Sequence, residues 1–364
     1  KARSLLRPGM ARTILITGAT GFTGGHLARR LATQGDHVRA LVRDAAKAKA
    51  LAAAGIDVRF GELTSLDDVT AAARGCEQIH HIAAVFRTAG HPDSYYREVN
   101  VGGPRNVLEA ARRLGCERVV HCSTVGVHGH IADPPASENY RFGPGDIYQR
   151  TKLEGELAAQ AAARRGQPVV IVRPGPIYGE GDLRFLKLYR AIERGVFVMI
   201  GSGKPKLHMV HIEDLVDGFV LCSNSKAALG EVFILAGPDA PTLKELVQYI
   251  ARALEVKEPR WRIPVWPVKA AGLLCESVCV PLRIDPPLHR RRVAFFTHHR
   301  EFDGSKAARL LGFAPKVSAA AGVRRVADWY RASGYLPQAH SAQLRATAVA
   351  EPGQETVQGS PLSK

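Results

Sequence analysis

T-I-L-I-T-G-A-T-G-F-T-G-G-H-L-A-R-R-L, residues 13–31, passes from a short apolar strand through a glycine-rich turn into a helix. Ile14, Leu15 and Ile16 form the continuous β-prone run of a parallel strand buried on both faces, and apolar positions then recur at helical spacing through Leu27 and Leu31. Gly18, Gly21 and Gly24 lie between them. One glycine allows the tight strand-to-helix turn, one lets backbone approach a pyrophosphate, and one lets the helix pack closely on the strand. Phosphates would then meet the outward-pointing N–H groups of the helix N-terminus. The stretch reads as the entrance to a nucleotide site.

With 364 residues and 46% hydrophobic content, the chain can bury a sizeable core, enough for one large domain and a smaller one. Six cysteines (Cys76, Cys116, Cys122, Cys222, Cys275, Cys279) are scattered without a C-x-x-C pair, and no signal peptide precedes the first strand. These features predict a reduced, cytoplasmic setting and no structural disulfide. The formal charge of +16 suits an acidic partner, yet Lys and Arg are spread along helices rather than gathered into a run or interleaved with aromatics. That spread argues against nucleic acid. An anionic cofactor, or peripheral attraction to a membrane surface, accounts for the charge at least as well.

Residues 1–10 read as an extension or tag, because Met10 stands just ahead of the first strand like a natural start. Beyond the first helix, strands at His37–Val42, Val58–Phe60, Gln78–Val85, Arg118–Cys122 and Pro168–Val172 alternate with helices at Ala45–Ala54, Leu66–Ala73 and Tyr96–Leu114, and one beginning near Tyr148. This alternation predicts an α/β fold with a doubly wound parallel sheet, the Rossmann arrangement. Pro174 and Pro176 break the rhythm, and Val232–Leu235 offers a strand that could rejoin the sheet. The expected domains are therefore 11–178 with 207–238 as the nucleotide-binding domain, and 179–206 with 239–336 as a smaller, mostly helical substrate lobe. Residues 337–364 are polar and aperiodic and read as a disordered tail. Within the lobe, Trp261, Ile263, Val265, Trp266, Val268, Leu273, Leu274, Val278, Val280 and Leu282 crowd into one proline-punctuated stretch. It is too interrupted to span a membrane but apolar enough to line a lipophilic pocket or pack the lobe's own core.

Chemistry concentrates at Tyr148-Gln-Arg-Thr-Lys152. Residues i and i+4 share one face of a helix, so the Lys152 ammonium can lie beside the Tyr148 phenol. A phenol ordinarily titrates near 10, and a neighbouring cation favours its ionised form. Tyr148 is the expected acid/base.

With those residues in hand, the chain from about Arg12 to Pro337 resembles the extended short-chain dehydrogenase/reductase family, the NAD(P)-dependent epimerases and dehydratases. Further matching pieces are G-E-L-T at Gly61–Thr64, I-A-A at Ile82–Ala84, N-V-G-G-P-R-N-V-L-E-A-A from Asn100, H-C-S-T-V-G-V-H-G around Thr124, R-P-G-P-I-Y-G at Arg173–Gly179 and H-M-V-H-I-E-D-L at His208–Leu215. The resemblance implies that Thr124, with Ser123 as runner-up, hydrogen-bonds the substrate oxygen, and that Asn100 supports Lys152 and a proton-relay water. It implies cofactor contacts from Gly18, Thr20, Gly21, Phe22, Thr23, Gly24, Glu62, Leu63, Ala83, Ala84, Tyr148 and Lys152. Glu62 stands where the family usually has Asp. Pro174, Gly175 and Ile177 match the segment beneath the nicotinamide, where backbone groups can hold its carboxamide. NAD-dependent relatives place an acid where Val42 stands, so Arg43, with Lys47 one turn on, suits a 2′-phosphate and NADP; Asp44 is the nearby feature that would favour NAD instead.

Other tempting residues take a plainer reading. His208 and His211 lack a third ligand and are not expected to hold a metal. His298-His299 and the run His289–Arg292 read as a solvated face, and Cys275 and Cys279 as core or pocket lining. The expected function is interconversion of a secondary alcohol and a ketone on a lipophilic or polycyclic molecule, resembling the dihydroflavonol reductase and 3β-hydroxysteroid dehydrogenase branches, in a cytoplasmic homodimer. A nucleotide-sugar epimerase or dehydratase is the alternative, although Val125-Gly126 stand where 4,6-dehydratases have Asp-Glu. A non-catalytic NADP-sensing protein is a third reading, disfavoured because Tyr148 and Lys152 are both kept.

Overall fold

A computed structural model describes residues 11–86, 91–279 and 290–338, without side chains at 274, 276, 278, 279 and 290–293. The expected leading extension, most of the tail, and Val280, Leu282 and His289 fall outside those residues.

The chain opens with β1 (Thr13–Thr17), α1 (Phe22–Thr33), β2 (His37–Val42), α2 (Ala45–Ala52), β3 (Asp57–Phe60), α3 (Leu66–Ala73) and β4 (Gln78–His81). It continues through α4 (Asp93–Arg97), a π-helical turn at Glu98–Gly102, α5 (Gly103–Leu114), β5 (Arg118–Cys122), α6 (Ile147–Arg164) and β6 (Val169–Pro174). Then come β7 (Ile177–Tyr178), α7 (Leu186–Glu193), β8 (Met199–Ile200), β9 (Val210–His211), α8 (Ile212–Asn224) and β10 (Val232–Leu235). The last elements are α9 (Leu243–Leu254), β11 (Arg262–Ile263), α10 (Val265–Cys279), α11 (Arg290–Thr297), α12 (Ser305–Leu311) and α13 (Ala319–Ala332).

Seven strands form one sheet in the order β3-β2-β1-β4-β5-β6-β10, every neighbouring pair parallel. The winding reverses between β1 and β4, and a doubly wound sheet binds its ligand outside the strand C-termini at that reversal. One face is covered by α1 and α8 through Leu27, Leu31, Val216 and Phe219, and the other by α3, α5 and α6 through Val69, Val107, Leu108 and Ala159. A separate apolar cluster joins α7, α9 and α13 through Tyr189, Leu246, Ile250, Val323 and Tyr330, and it forms the lobe above the strand ends.

The turn after β1 is set by backbone proximity. Gly18 has φ +78°, and a Cβ there would lie 2.7 Å from the Ala83 backbone. A Cβ on Gly24 would lie 2.2 Å from the Gly18 carbonyl oxygen, so α1 can cross the turn this closely only with glycine at that position.

Several boundaries differ from expectation for physical reasons. β4 stops at His81 rather than Val85, because the Val85 N–H donates to Asn100 Oδ1 at 2.8 Å and its carbonyl accepts from Asn100 Nδ2 at 3.1 Å. The expected single helix Tyr96–Leu114 is divided by the π turn, where α6 presses so close that a Cβ on Gly155 would lie 2.3 Å from the Asn100 carbonyl oxygen. α12 packs its Ala307 and Leu311, with Phe313, into the sheet's core, so this part of 239–336 sides with the nucleotide-binding half. β10 joins the sheet beside β6.

Replacing Gly24 with Ala should lower stability by about 2–4 kcal/mol, because the new Cβ meets backbone that cannot swing aside. Gly102, whose Cβ would meet open space, should tolerate alanine within about 1 kcal/mol. Urea unfolding of the two variants checks the contrast, and equal costs would refute the close-approach argument.

Candidate active site

A cleft of about 1790 Å³ runs along the C-terminal ends of the strands. Typical small-molecule pockets occupy roughly 300–1,000 Å³, so it has room for a dinucleotide and a substrate together. Its floor begins at Gly18, Thr20, Gly21, Phe22, Thr23 and Gly24. Gly21 caps α1 without a side-chain hydrogen bond, which leaves the first N–H groups of a twelve-residue helix turned to the cleft. An anion fits there by dipole and by donor count. Glu62, Leu63, Ala83 and Ala84 continue the wall, and Pro174, Gly175 and Ile177 close its far end. The Gly175 N–H donates to the Leu235 carbonyl at 2.9 Å, so that backbone donor is already committed and is not free for a carboxamide.

At the rim after β2, Arg43 lines the cleft and donates to the Tyr95 hydroxyl at 2.8 Å. Asp44 is spent on capping α2, where it accepts from Ala46 N. Lys47 corrects the sequence reading: it lies outside the cleft lining, largely exposed, with its ammonium 3.8 Å from the Asp44 carboxylate.

The reactive cluster is built by β5, β6 and α6. Tyr148 and Lys152, one turn apart on α6, both line the cleft. The Lys152 ammonium donates to the Cys122 carbonyl at the end of β5 at 2.5 Å, and burial holds its pKa below the ordinary lysine value against the pull of Cys122 and Glu156. The Phe86 ring meets Tyr148 edge-on at 4.9 Å. Thr124 stands at the cleft wall, its hydroxyl accepting from Gly126 N at 3.1 Å. The buried Ser123 hydroxyl instead donates to Glu156 Oε2 at 2.5 Å, so Thr124 is the better placed of the two to meet a substrate oxygen. Asn100 is buried behind the cleft lining, and its amide is committed to Val85 and to Thr151 Oγ1 at 3.1 Å. Those bonds fix the chain after β4 against α6.

Sequence reasoning missed the residues that hold this cluster. Glu156 and Arg173 form an ion pair at 2.6 Å with side chains 0% and 2% exposed. Arg173 Nη1 also donates to the Glu138 carbonyl at 2.7 Å and lies 3.1 Å from His128 Nε2. The usable signal was an acid at i+4 from Lys152 and i+8 from Tyr148, on one helix face. Arg184 was missed as well; it lines the cleft with its guanidinium over both Phe22 and Phe86, at 5.7 and 5.8 Å. Behind Lys152, His81 and His121 stack at 5.3 Å, with His81 Nδ1 2.7 Å from Thr17 Oγ1.

The histidine pairs expected elsewhere separate. His208 Nε2 bonds the Gly237 carbonyl, and His211 caps α8 and meets Glu180 at 3.1 Å. His298 corrects the solvated-face reading: it lines the cleft against His130, ring centroids 4.6 Å apart, and burial with nearby His130, Arg300 and Lys269 lowers its pKa. His299 Nδ1 accepts from Lys206 N at 3.5 Å, and the side chains of Arg290–Arg292 lie outside the described residues. The tryptophan-rich stretch also departs from both expectations. Trp261 and Trp266 are 76% and 74% exposed, and Trp261, Ile263, Val265, Trp266 and Val268 are absent from the lining, whereas Leu273 is in it. Cys275 is half-buried and lies outside the lining.

Two predictions follow from this geometry. Tyr148→Phe should lower turnover by about two to four orders of magnitude while cofactor affinity is kept; steady-state rates beside cofactor titrations read both, and near-normal turnover would remove Tyr148 from the chemistry. Separately, desolvation pushes His80 and His81 down to about 3, assisted by Arg12 and Arg118 for the first and Lys152 for the second. The unfolded chain takes up these protons near pH 6.5 and the folded chain does not, so stability is full above that value and falls as pH drops from 6.5 toward 3. The slope is about 1.4 kcal/mol per pH unit for each histidine. Urea unfolding at pH 7.5 and 5.5 measures it, and equal stabilities would show the two rings to be solvated.

Comparison with known proteins agrees with this geometry. The family model described as NAD dependent epimerase/dehydratase family matches residues 14–236, more than half of the chain. Sterol demethylase protein B of Methylococcus capsulatus is 30% identical over 89% of this chain and all of its own length. Ceramide reductase of Caulobacter vibrioides is 29% identical over 89% of this chain and 96% of its own. Among solved structures, the dTDP-glucose 4,6-dehydratase DesIV of Streptomyces venezuelae, with NAD and TYD bound, superposes with a TM-score of 0.70 at 26% identity, covering 89% of this chain and 99% of that one.

Proposed function

This chain belongs to the NAD dependent epimerase/dehydratase family, and from that premise we propose that it interconverts a secondary alcohol and a ketone on a lipophilic substrate. It is an enzyme of the extended short-chain dehydrogenase/reductase type. The uncapped α1 N-terminus and the glycine cradle of Gly18 and Gly24 fit a dinucleotide. When bound, its nicotinamide accepts or supplies the hydride. The remaining work belongs to the protein. Thr124 donates a hydrogen bond to the substrate oxygen, and Tyr148 gives that oxygen its proton in reduction or takes it in oxidation. Lys152, anchored by the Cys122 carbonyl, places a cation behind Tyr148 and favours its ionised form.

The observation that carries the substrate reading is the apolar part of the lining of the cleft that holds Tyr148. Phe86, Phe185, Leu207, Leu273 and Phe295 come from five separate parts of the chain and line the same cleft, which suits burial of an apolar skeleton. Relatives named for sterol and ceramide chemistry are consistent with it. A second reading, a nucleotide-sugar epimerase or dehydratase, draws on His130, Lys269, His298 and Arg300 in that lining, which suit an anionic group. Cofactor oxidation in the presence of sterol and other hydrophobic ketones, set beside binding of UDP-, GDP- and TDP-sugars, separates the two. Saturable sugar-nucleotide binding with no response to hydrophobic ketones would overturn the first reading.

The preferred cofactor in this proposal is NADP(H). Arg43 is held at the rim by Tyr95, while the acid that could accept from a ribose hydroxyl, Asp44, is occupied at the α2 cap. Arg43→Ala should weaken NADP(H) binding by about 10–100-fold, the loss of a charge-assisted bond, and leave NAD(H) within a few-fold. Equilibrium titration with both cofactors decides it, and tighter NAD binding to the unaltered protein would reverse the assignment.

A further inference from the structure

β8 and β11 form a two-stranded parallel sheet in the lobe, with Arg262 opposite Met199 and Ile263 opposite Ile200. Side chains alternate along a strand. Phe197 and Met199 accordingly point inward and are buried, whereas Val196 and Val198 are exposed, at 67% and 37%. The same register sets Trp261 beside Val198, and the outer face of this small sheet is therefore apolar throughout. On α10, the next element, Trp266, Lys269, Ala270 and Leu273 stand at i, i+3, i+4 and i+7 on one helix face. Leu273 is 53% exposed and, with Lys269 and Ala270, also borders the active cleft. The chain holds three tryptophans, and two of them lie uncovered here.

Single exposed apolar residues are ordinary, but two uncovered tryptophans five residues apart, with Val196, Val198 and Ile263 exposed as well, mark an interaction surface. Its charge identifies the partner. Arg194, Lys257, Arg260 and Lys269 are exposed around it, and Arg262 is exposed on the opposite face of β11 from Trp261 and Ile263. Neither residues 194–201 nor residues 259–275 contain an acid. Glu258, at the margin, is bonded to Gln248 and Arg252. Tryptophan with a basic rim matches the interface of an anionic bilayer, where rings settle at headgroup depth and cations meet lipid phosphates. No helix among the described residues is long and apolar enough to cross a membrane.

We infer that this face docks the enzyme peripherally on membranes rich in anionic phospholipid, with α10 bringing the mouth of the active cleft to the lipid surface. The inference stands apart from the substrate reading, because docking is read without cofactor or substrate. The full chain is sedimented with phosphatidylcholine vesicles, and with vesicles in which about a quarter of the lipid is phosphatidylglycerol, while tryptophan emission is recorded. Binding to the anionic vesicles only, weakened by high salt and accompanied by a blue shift, is expected. The double variant Trp261→Ala/Trp266→Ala should bind about tenfold or more weakly. Arg260→Glu/Arg262→Glu should lose the preference for anionic lipid. Turnover of a water-soluble ketone, neither tryptophan being in the cleft, should be unchanged in the tryptophan variant. Absence of vesicle binding, equal binding by the tryptophan variant, or a solution dimer that the tryptophan variant dissociates would overturn the inference, the last by assigning the face to a second copy of the chain.

Discussion

Two charges taken out of water hold the reactive cluster together. Glu156 on α6 and Arg173 at the end of β6 are buried and paired, and burial of such ions costs several kcal/mol each unless geometry and further hydrogen bonds offset it. Here both conditions are met. Ser123 at the end of β5 donates to Glu156, and Arg173 continues to the Glu138 carbonyl. Three elements whose ends define the cleft are thereby held in one arrangement. Lys152 lies one turn before Glu156, so the same constraint fixes the helix that aims Tyr148. The arrangement contributes position more than net stability, and that is what proton transfer over hydrogen-bond distances requires.

The parallel sheet supplies the remaining geometry. Reversal of its winding between β1 and β4 opens a crevice at the strand ends, where the glycine turn, the bare α1 N-terminus and Arg43 make one half suited to an anion. The other half is closed by lobe residues on α10, α11 and the segment after β7, and by the segment after β4. Fold and cofactor half are thus local consequences of strand–turn–helix units, whereas the substrate half depends on contacts between residues far apart in the chain.

That division explains what the sequence made legible. Leu66–Ala73, Arg118–Cys122 and Val232–Leu235 were readable to the residue, since each is bounded by its own turn or cap signals. The apolar run Gln78–Val85 was not, because its last residues are taken from the sheet by Asn100, whose side chain arrives from fifteen or more residues away. Lys47 read as a phosphate ligand because it stands one turn after Arg43, but that spacing does not fix where a long exposed side chain points, and it lies outside the cleft lining. The tryptophan stretch read as pocket or core because hydrophobicity reports that a residue avoids water without reporting which partner covers it. Glu156 and Arg173 were present at informative spacing, but an acid and a base seventeen residues apart on different elements reveal their pairing only once α6 is laid along β6.

The proposed reaction at this cleft is net hydride transfer, with the proton handled by Tyr148. It is tested most directly by incubating the protein with NADPH deuterated at the transferable nicotinamide position and a ketone that it reduces, then examining the alcohol by mass spectrometry. One deuterium at the new carbinol carbon, in proportion to the cofactor oxidised, is the predicted result. A sugar-nucleotide product formed with no net oxidation of added cofactor and no deuterium gained would contradict the claim and assign the cleft to epimerase chemistry.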